Sequence, residues 1–256
     1  MNFTHFPIVL NTIDEPCQNI LGLIDQSKLN LVNIDTSSVY LAYQNKALTL
    51  VLNSNKDPLS ISIDFALGKA KHRRLYGGGK NQPLPKACGV DKHPGWTIFD
   101  ATAGLGKDSF VLASLGSQVT LCEQHPALYA LLEDAKYRAQ NDKEAASIVQ
   151  CMTLKNHDSI EFLENINKSD SSAPDVIYID PMYPERKKSA KIKKEMHVLQ
   201  TLVGHSGEEA QLFETALKVA KHRVVVKRPK SASPLNNTKP SYTVGSVNTR
   251  YDVYVL

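Results

Sequence analysis

The sequence predicts an α/β protein: a mostly parallel sheet with helices on both faces, closed by an antiparallel C-terminal strand and preceded by a small α/β unit over residues 1–68. From Trp96 onward the chain repeats strand, glycine turn and helix, the order that builds a parallel sheet covered on both sides. Before residue 68 two runs of β-formers, Val39–Tyr43 and Leu48–Leu52, flank the polar Gln44–Lys46, as in a hairpin. Residues 69–95 join the two parts and combine basic residues with three glycines in a row and two prolines.

In chain order, Pro7–Leu10 reads as an apolar strand and Glu15–Gln26 as a helix, followed by the hairpin. Ala66–Leu75 is a basic stretch with helical potential. Gly77–Gly79 stop it and open a loop that runs past Pro83 and Pro85. Trp96–Phe99 is a short strand, Asp100–Gly106 a turn, and Asp108–Leu115 a helix closed by Gly116. Val119–Cys122 is the second strand. Pro126–Asn141 is a helix with Leu128, Leu131, Leu132 and Ala135 on one face. Ser159–Ile166 is another helix, and Asp175–Ile179 is a buried strand running into Asp180-Pro181-Met182-Tyr183-Pro184. The helix Glu208–Lys221, the strand Arg223–Lys227 and an antiparallel pair, Ser241–Val244 with Tyr251–Leu256, complete the sheet.

Apolar residues make up 42% and charged residues 22%, ordinary for a globular chain. No apolar run approaches the roughly 20 residues that span a bilayer, and the first ten residues carry no leader pattern, so the expected location is the cytoplasm. Cys17, Cys88, Cys122 and Cys151 lie far apart, and the eight histidines are scattered. No metal site is therefore expected. The formal net charge of +4 hides an uneven distribution. Lys69–Lys80, Glu185–Glu195 and Lys218–Lys230 hold five, six and six of the 30 lysines and arginines, which leaves the rest of the chain acidic. Such strips suit a polyanion, because each neutralised phosphate releases counterions; solvated helix faces are the alternative. On the first reading Arg73, Arg74, Lys80, Arg186, Lys187, Lys188, Lys191, Lys227 and Arg228 contact nucleic acid.

The turn Asp100-Ala101-Thr102-Ala103-Gly104-Leu105-Gly106 opens a helix, where glycines let a ligand approach the backbone. A phosphate-cradling P-loop requires glycine at 101 and Ser or Thr at 108; the chain has Ala101 and Asp108. A dinucleotide turn wants Gly or Ala three residues beyond Gly106, where Ser109 stands. A ligand with an amino-acid end, an adenosine and a sulfonium fits polar neighbours better. Asp100, Gly104 and Gly106 line the turn, Glu123 ends the second strand where an acid can accept ribose hydroxyls, and Asp158 is placed to face an adenine. This combination resembles class I S-adenosyl-L-methionine-dependent methyltransferases, which implies a Rossmann-like sheet.

Asp180-Pro181-Met182-Tyr183 resembles the Asp/Asn-Pro-Pro-Tyr/Phe motif with which that class methylates exocyclic amines, with Met182 where proline is usual. An aromatic amine delocalises its lone pair into the ring. Hydrogen bonds to the Asp180 carboxylate and a Pro181 carbonyl localise the pair toward the methyl group, and Tyr183 offers a stacking face worth about 1–3 kcal/mol. The alternative is a tight Asp-Pro turn closing a buried strand.

More closely, the chain resembles the J-type small-subunit ribosomal RNA methyltransferases. Arg74–Gly79, Asp100–Asp108, Asp180–Pro184, Lys193–Met196 and Val226–Pro229 carry the resemblance. It implies an enzyme that methylates the exocyclic amine of a guanine in 16S rRNA, acting on the RNA or the small ribosomal subunit. It also implies cofactor contacts at Lys107, Asp108, Glu123, Gln124, Asp158, Ser159 and Asp180. Methylation of DNA or protein, and a non-catalytic RNA-binding module, are the rival functions.

Overall fold

The computed structural model describes residues 6–10, 22, 29–31, 39–53, 58–67, 79–181, 202, 207–245 and 247–256. The described strands form two sheets. The smaller contains β1 (Phe6–Leu10), β2 (Leu29–Leu31), β3 (Val39–Gln44), β4 (Ala47–Leu52) and β5 (Leu59–Ile61), in the order β2-β1-β3-β4-β5. The β3–β4 hairpin turns at Asn45 and Lys46, both with positive φ, which is the twist a two-residue hairpin loop needs. The helix expected over Glu15–Gln26 lies almost wholly outside the described residues. So does most of Ala66–Leu75, of which Ala66 and Leu67 form a bend held by Asp64 Oδ1.

The larger sheet has seven strands: β6 (Ile98–Asp100), β7 (Val119–Cys122), β8 (Met152–Lys155), β9 (Val176–Ile179), β10 (Arg223–Pro229), β11 (Tyr242–Gly245) and β12 (Thr249–Val255). Their order is β11-β12-β10-β9-β6-β7-β8, with β12 antiparallel to both neighbours. The expected mostly parallel sheet with an antiparallel C-terminal strand is present. The helices are α1 (Pro83–Cys88), α2 (Lys107–Ser114), α3 (Pro126–Ala139), α4 (Ala145–Gln150), α5 (Ser159–Glu164) and α6 (Glu209–Val219).

The strands β2, β5 and β8 and the helix α4 are not marked out by the sequence pattern, and two expected elements take another form. Pro83 and Pro85 do not extend a loop but begin α1, where a missing N–H costs nothing, and Gly89 ends it in the left-handed region. β6 starts at Ile98 rather than Trp96, because the Trp96 ring is stacked on His93 and His222 at 4.0 and 4.6 Å, beneath the Arg223 guanidinium.

Strand alternation divides the core into two faces. Ile98, Leu121, Tyr178 and Val225 point toward α1–α4 and share a cluster with Leu41, Leu48 and Leu50 of the small sheet. Phe99, Cys122, Ile177, Val224 and Val226 point the other way, against α5 and α6. Two ties join the small sheet and the segment that follows it to α3 and α2. Buried Asp134 accepts hydrogen bonds from Leu48 N (3.1 Å) and Arg138 Nε (2.9 Å), and Arg138 also reaches Ile63 O. Phe65 stacks on Phe110 of α2 at 4.9 Å. No helix among the described residues is long and apolar enough to cross a membrane.

Candidate active site

The chain runs outward from β6 to β7 and β8, then returns to β9 and continues to β10 on the other side. The strand order therefore reverses between β6 and β9. Clefts at the carboxyl ends of strands at such a switch point are where open α/β sheets bind ligands. The Asp100–Gly106 turn and the Asp180-Pro181 pair meet there. Ala101 N donates to Tyr178 O (2.9 Å), and Asp180 N donates to Thr102 Oγ1 (2.7 Å).

The turn itself is held by carboxylates. Asp100 is 2% exposed; its Oδ2 accepts Ser109 Oγ at 2.5 Å and its Oδ1 accepts Thr102 N at 3.1 Å. Ser109, the residue that argued against a dinucleotide turn, is thus a partner of Asp100. Glu123 accepts Gly104 N (3.0 Å) and His125 N (2.8 Å), fixing the turn from the end of β7. Burial pushes both carboxyls up to about 7, against the opposing effect of those hydrogen bonds. Gln124 is exposed beside it, and Lys107 is exposed at the start of α2. Gly104 and Gly106 both have positive φ.

Asp158 caps α5: its Oδ1 accepts Ile160 N (2.8 Å) and Glu161 N (3.0 Å), a role worth about 1 kcal/mol by itself. Ser159 Oγ donates to Ala101 O (2.7 Å), tying that cap to the turn.

The centre of the site is a charged network that sequence reading did not assemble. Lys227 Nζ donates to Asp180 Oδ2 (2.7 Å) and Asp108 Oδ2 (3.0 Å), and Tyr178 OH donates to the same Asp108 oxygen (2.7 Å). The alternation that buries Tyr178 and Val225 on the α2 side of the sheet puts Asp180 and Lys227 on that side too, opposite Asp108 at the start of α2. The parallel register pairs Val226 with Ile179, which sets Lys227 level with Asp180. Burial pushes the Asp180 carboxyl up to about 6, with Lys227 opposing and Asp108 adding to the rise. Burial works against the Lys227 ammonium, but Asp180 and Asp108 outweigh it and hold the group above the ordinary lysine range. The Asp180 side chain is still 36% exposed, so this carboxylate faces an opening.

Lys227 and Arg228, expected on a phosphate-binding strip, are engaged inside the fold instead. Strand alternation turns Lys227 into the carboxylate network. It turns Arg228, 8% exposed, toward the opposite face, where it donates to Ser233 O. Arg223 lies over Trp96 and donates to Ala87 O and Tyr242 OH. Pro181 is buried. Tyr183, Arg73, Arg74, Arg186, Lys187, Lys188 and Lys191 lie outside the described residues, as does the Lys80 side chain.

At this edge of the sheet the described residues include four carboxyls, Asp100, Asp108, Glu123 and Asp180, and two lysines, Lys227 paired with Asp108 and Asp180 and Lys107 exposed at the start of α2. An excess of acid disfavours a pyrophosphate. It suits a ligand carrying an ammonium, a sulfonium and ribose hydroxyls.

Comparison with known proteins agrees with this chemistry. Residues 23–256 match a family model described as "Putative SAM-dependent methyltransferase". Ribosomal RNA small subunit methyltransferase J of Ectopseudomonas mendocina is 43% identical over 228 residues, 89% of this chain and 86% of its own length. Its namesake in Shewanella pealeana is 40% identical over 252 residues, 98% of this chain and 94% of its own. The crystal structure of a SAM-dependent methyltransferase from Neisseria gonorrhoeae superposes with a TM-score of 0.78 at 36% identity, covering 97% of this chain and 95% of that one.

Proposed function

The chain belongs to the ribosomal RNA small subunit methyltransferase J family of S-adenosylmethionine-dependent enzymes, and from that premise we propose that it methylates the exocyclic amine of a guanine in 16S ribosomal RNA. The observation that carries the reading is the Asp180 carboxylate, held at the switch point between β6 and β9 and partly open to an incoming group. S-adenosyl-L-methionine supplies an electrophilic methyl on a positively charged sulfur.

Asp180 accepts an amine N–H and draws the nitrogen lone pair out of ring conjugation, and the Pro181 carbonyl is the second acceptor. As the N–C bond forms the methyl–sulfur bond breaks, its electron pair stays on the departing thioether, and the surplus proton leaves the nitrogen along the hydrogen bond to Asp180. Tyr183 stacks the guanine, which enters single-stranded or flipped from its stack. Asp100, Gly104, Gly106, Lys107, Asp108, Glu123, Gln124, Asp158 and Ser159 surround the cofactor. Glu123 is the residue for the ribose hydroxyls, its carboxylate oxygens having lone pairs beyond those that accept Gly104 N and His125 N. Arg73, Arg74, Lys80, Arg186, Lys187, Lys188 and Lys191 hold RNA phosphates, and the enzyme works in the cytoplasm.

The test is transfer of labelled methyl from S-adenosylmethionine to naked 16S rRNA, to small subunits lacking the modification, and to DNA, with identification of the product nucleoside. N-methylated guanine in an RNA sample, lost in Asp180→Ala, is the expected result. Label confined to DNA, or near-normal turnover by Asp180→Ala, refutes it.

A further inference from the structure

Lys227 lies outside the Asp180-Pro181-Met182-Tyr183 motif, yet among the described residues it makes the shortest contact, 2.7 Å, to the carboxylate on which the proposed reaction depends. The network draws on three separate parts of the fold: Asp108 from the start of α2, Tyr178 and Asp180 from β9 and its end, and Lys227 from β10. Asp180 is tied at two atoms, its backbone N to Thr102 Oγ1 and its Oδ2 to Lys227 Nζ. A carboxylate pinned through one oxygen has its rotation set, and the second oxygen takes a fixed direction.

We propose that Lys227 is a positioning residue for methyl transfer, a cationic clamp that fixes the Asp180 carboxylate through Oδ2 and presents Oδ1 to the substrate amine. This rests on the reading of Asp180 as the amine acceptor. Only the ionised carboxylate offers acceptors at both oxygens, one for Lys227 and one for the amine; the neutral acid carries a donor O–H on one of them. Asp180 stands beside Asp108, which disfavours a further negative charge, and Asp100 is buried on the adjoining strand. Among the described residues the other titratable groups around the network are Tyr178 of β9, which donates to Asp108, and Tyr251 of β12, and phenols bring no charge at neutral pH. Among the described residues Lys227 is thus the cation that opposes Asp108 beside Asp180, and it selects both the protonation state and the orientation of the acceptor. Arginine does not substitute freely, because its planar fork pairs with two oxygens of one carboxylate rather than one oxygen from each of two.

The experiment compares wild type, Lys227→Met, Lys227→Arg and Asp180→Ala in the full chain. It measures thermal unfolding, S-adenosylmethionine binding by calorimetry, and kcat and KM for rRNA from pH 5 to 9. Lys227→Met is expected to lose about 100-fold or more in kcat, the scale of a misplaced reacting group, with KM for RNA within about threefold. The acidic limb of its pH profile moves upward by about one unit or more, as for a carboxylate that loses an adjacent cation. Lys227→Arg keeps the limb in place and loses about tenfold in kcat. A wild-type kcat in Lys227→Met, or an unmoved limb, overturns the clamp. So does a defect confined to KM and the salt dependence of RNA binding, which would make Lys227 a phosphate contact. Should Lys227→Met fail to fold, Lys227→Arg decides alone: reduced kcat with the limb in place supports the clamp, and wild-type kcat overturns it. An active Asp180→Ala removes the underlying reading, whereas an inactive Asp180→Ala beside a normal Lys227→Met removes only the clamp.

Discussion

Alanine at Gly106 is expected to destabilise the protein by about 1–3 kcal/mol more than alanine at Gly104, although both glycines lie in the same turn. Each has positive φ, +53° at Gly104 and +66° at Gly106. Forcing an L side chain into that region costs roughly 1–2 kcal/mol at either position, and the loss of unfolded-chain freedom is shared as well. What differs is the space. A Cβ on Gly104 meets nothing closer than Thr102 O at 3.8 Å, an ordinary contact. A Cβ on Gly106 comes to 2.7 Å from Leu132 Cδ2 and 3.1 Å from Phe65 Cζ. Those side chains are 0% and 2% exposed, and Phe65 is braced by its stacking on Phe110, so neither yields without moving its neighbours. Overpacking of that kind typically costs about 1–3 kcal/mol. For a chain of this size each kcal/mol moves Tm by about 2–4 °C. Urea unfolding at constant m-value and a thermal scan measure the gap directly. Equal midpoints for the two variants, or a larger loss at Gly104, would show that Leu132 and Phe65 do not confine the turn.

Three further outcomes follow from the same structure. Asp100 and Glu123 have folded pKa values raised from 3.8 and 4.5 to about 7. Their contribution to stability is therefore full below about pH 4 and is lost as pH rises through about 7; Asp100→Asn should flatten the fall in denaturation midpoint between pH 5 and pH 8, and an unchanged slope would refute the assignment. Arg138→Met leaves the buried Asp134 carboxylate without its cation and should cost about 3 kcal/mol, whereas a loss below about 1 kcal/mol by chemical denaturation would mean that Leu48 N alone satisfies it. Charge reversal at Lys187, Lys188 and Lys191 should lower the slope of log K against log salt for RNA by about 0.7–0.9 for each phosphate no longer neutralised, leaving cofactor affinity unchanged; a constant slope removes these residues from the RNA interface.

Much of the local structure was readable from residue order. The β3–β4 hairpin, the glycine turn between β6 and α2, and the apolar face of α3 follow from short-range preferences that the chain satisfies with its own neighbours. Other local features were ambiguous. Pro83 and Pro85 fit a loop or the first turn of a helix equally well, and packing of Leu84, Ala87 and Cys88 into the core decides for the helix. Asp158 reads in the sequence as a ligand contact only, and its hydrogen bonds to Ile160 and Glu161 show that it caps α5 as well.

The sequence by itself determined the fold class, the cofactor chemistry and the Asp180-Pro181 motif, because each is written in short local patterns and in their order along the chain. Tertiary structure decided what the basic residues of β10 do. As a string, Lys221–Lys230 is a run of positive charge. Folded, alternation sends Arg228 to one face and Lys227 to the other, and the register with β9 brings Lys227 to Asp180, 47 residues away, and to Asp108, 119 residues away. A charge acquires its role from the charges nearest to it in space. For Lys227 those partners are set by strand order and register across the sheet, which no short-range pattern in the sequence encodes.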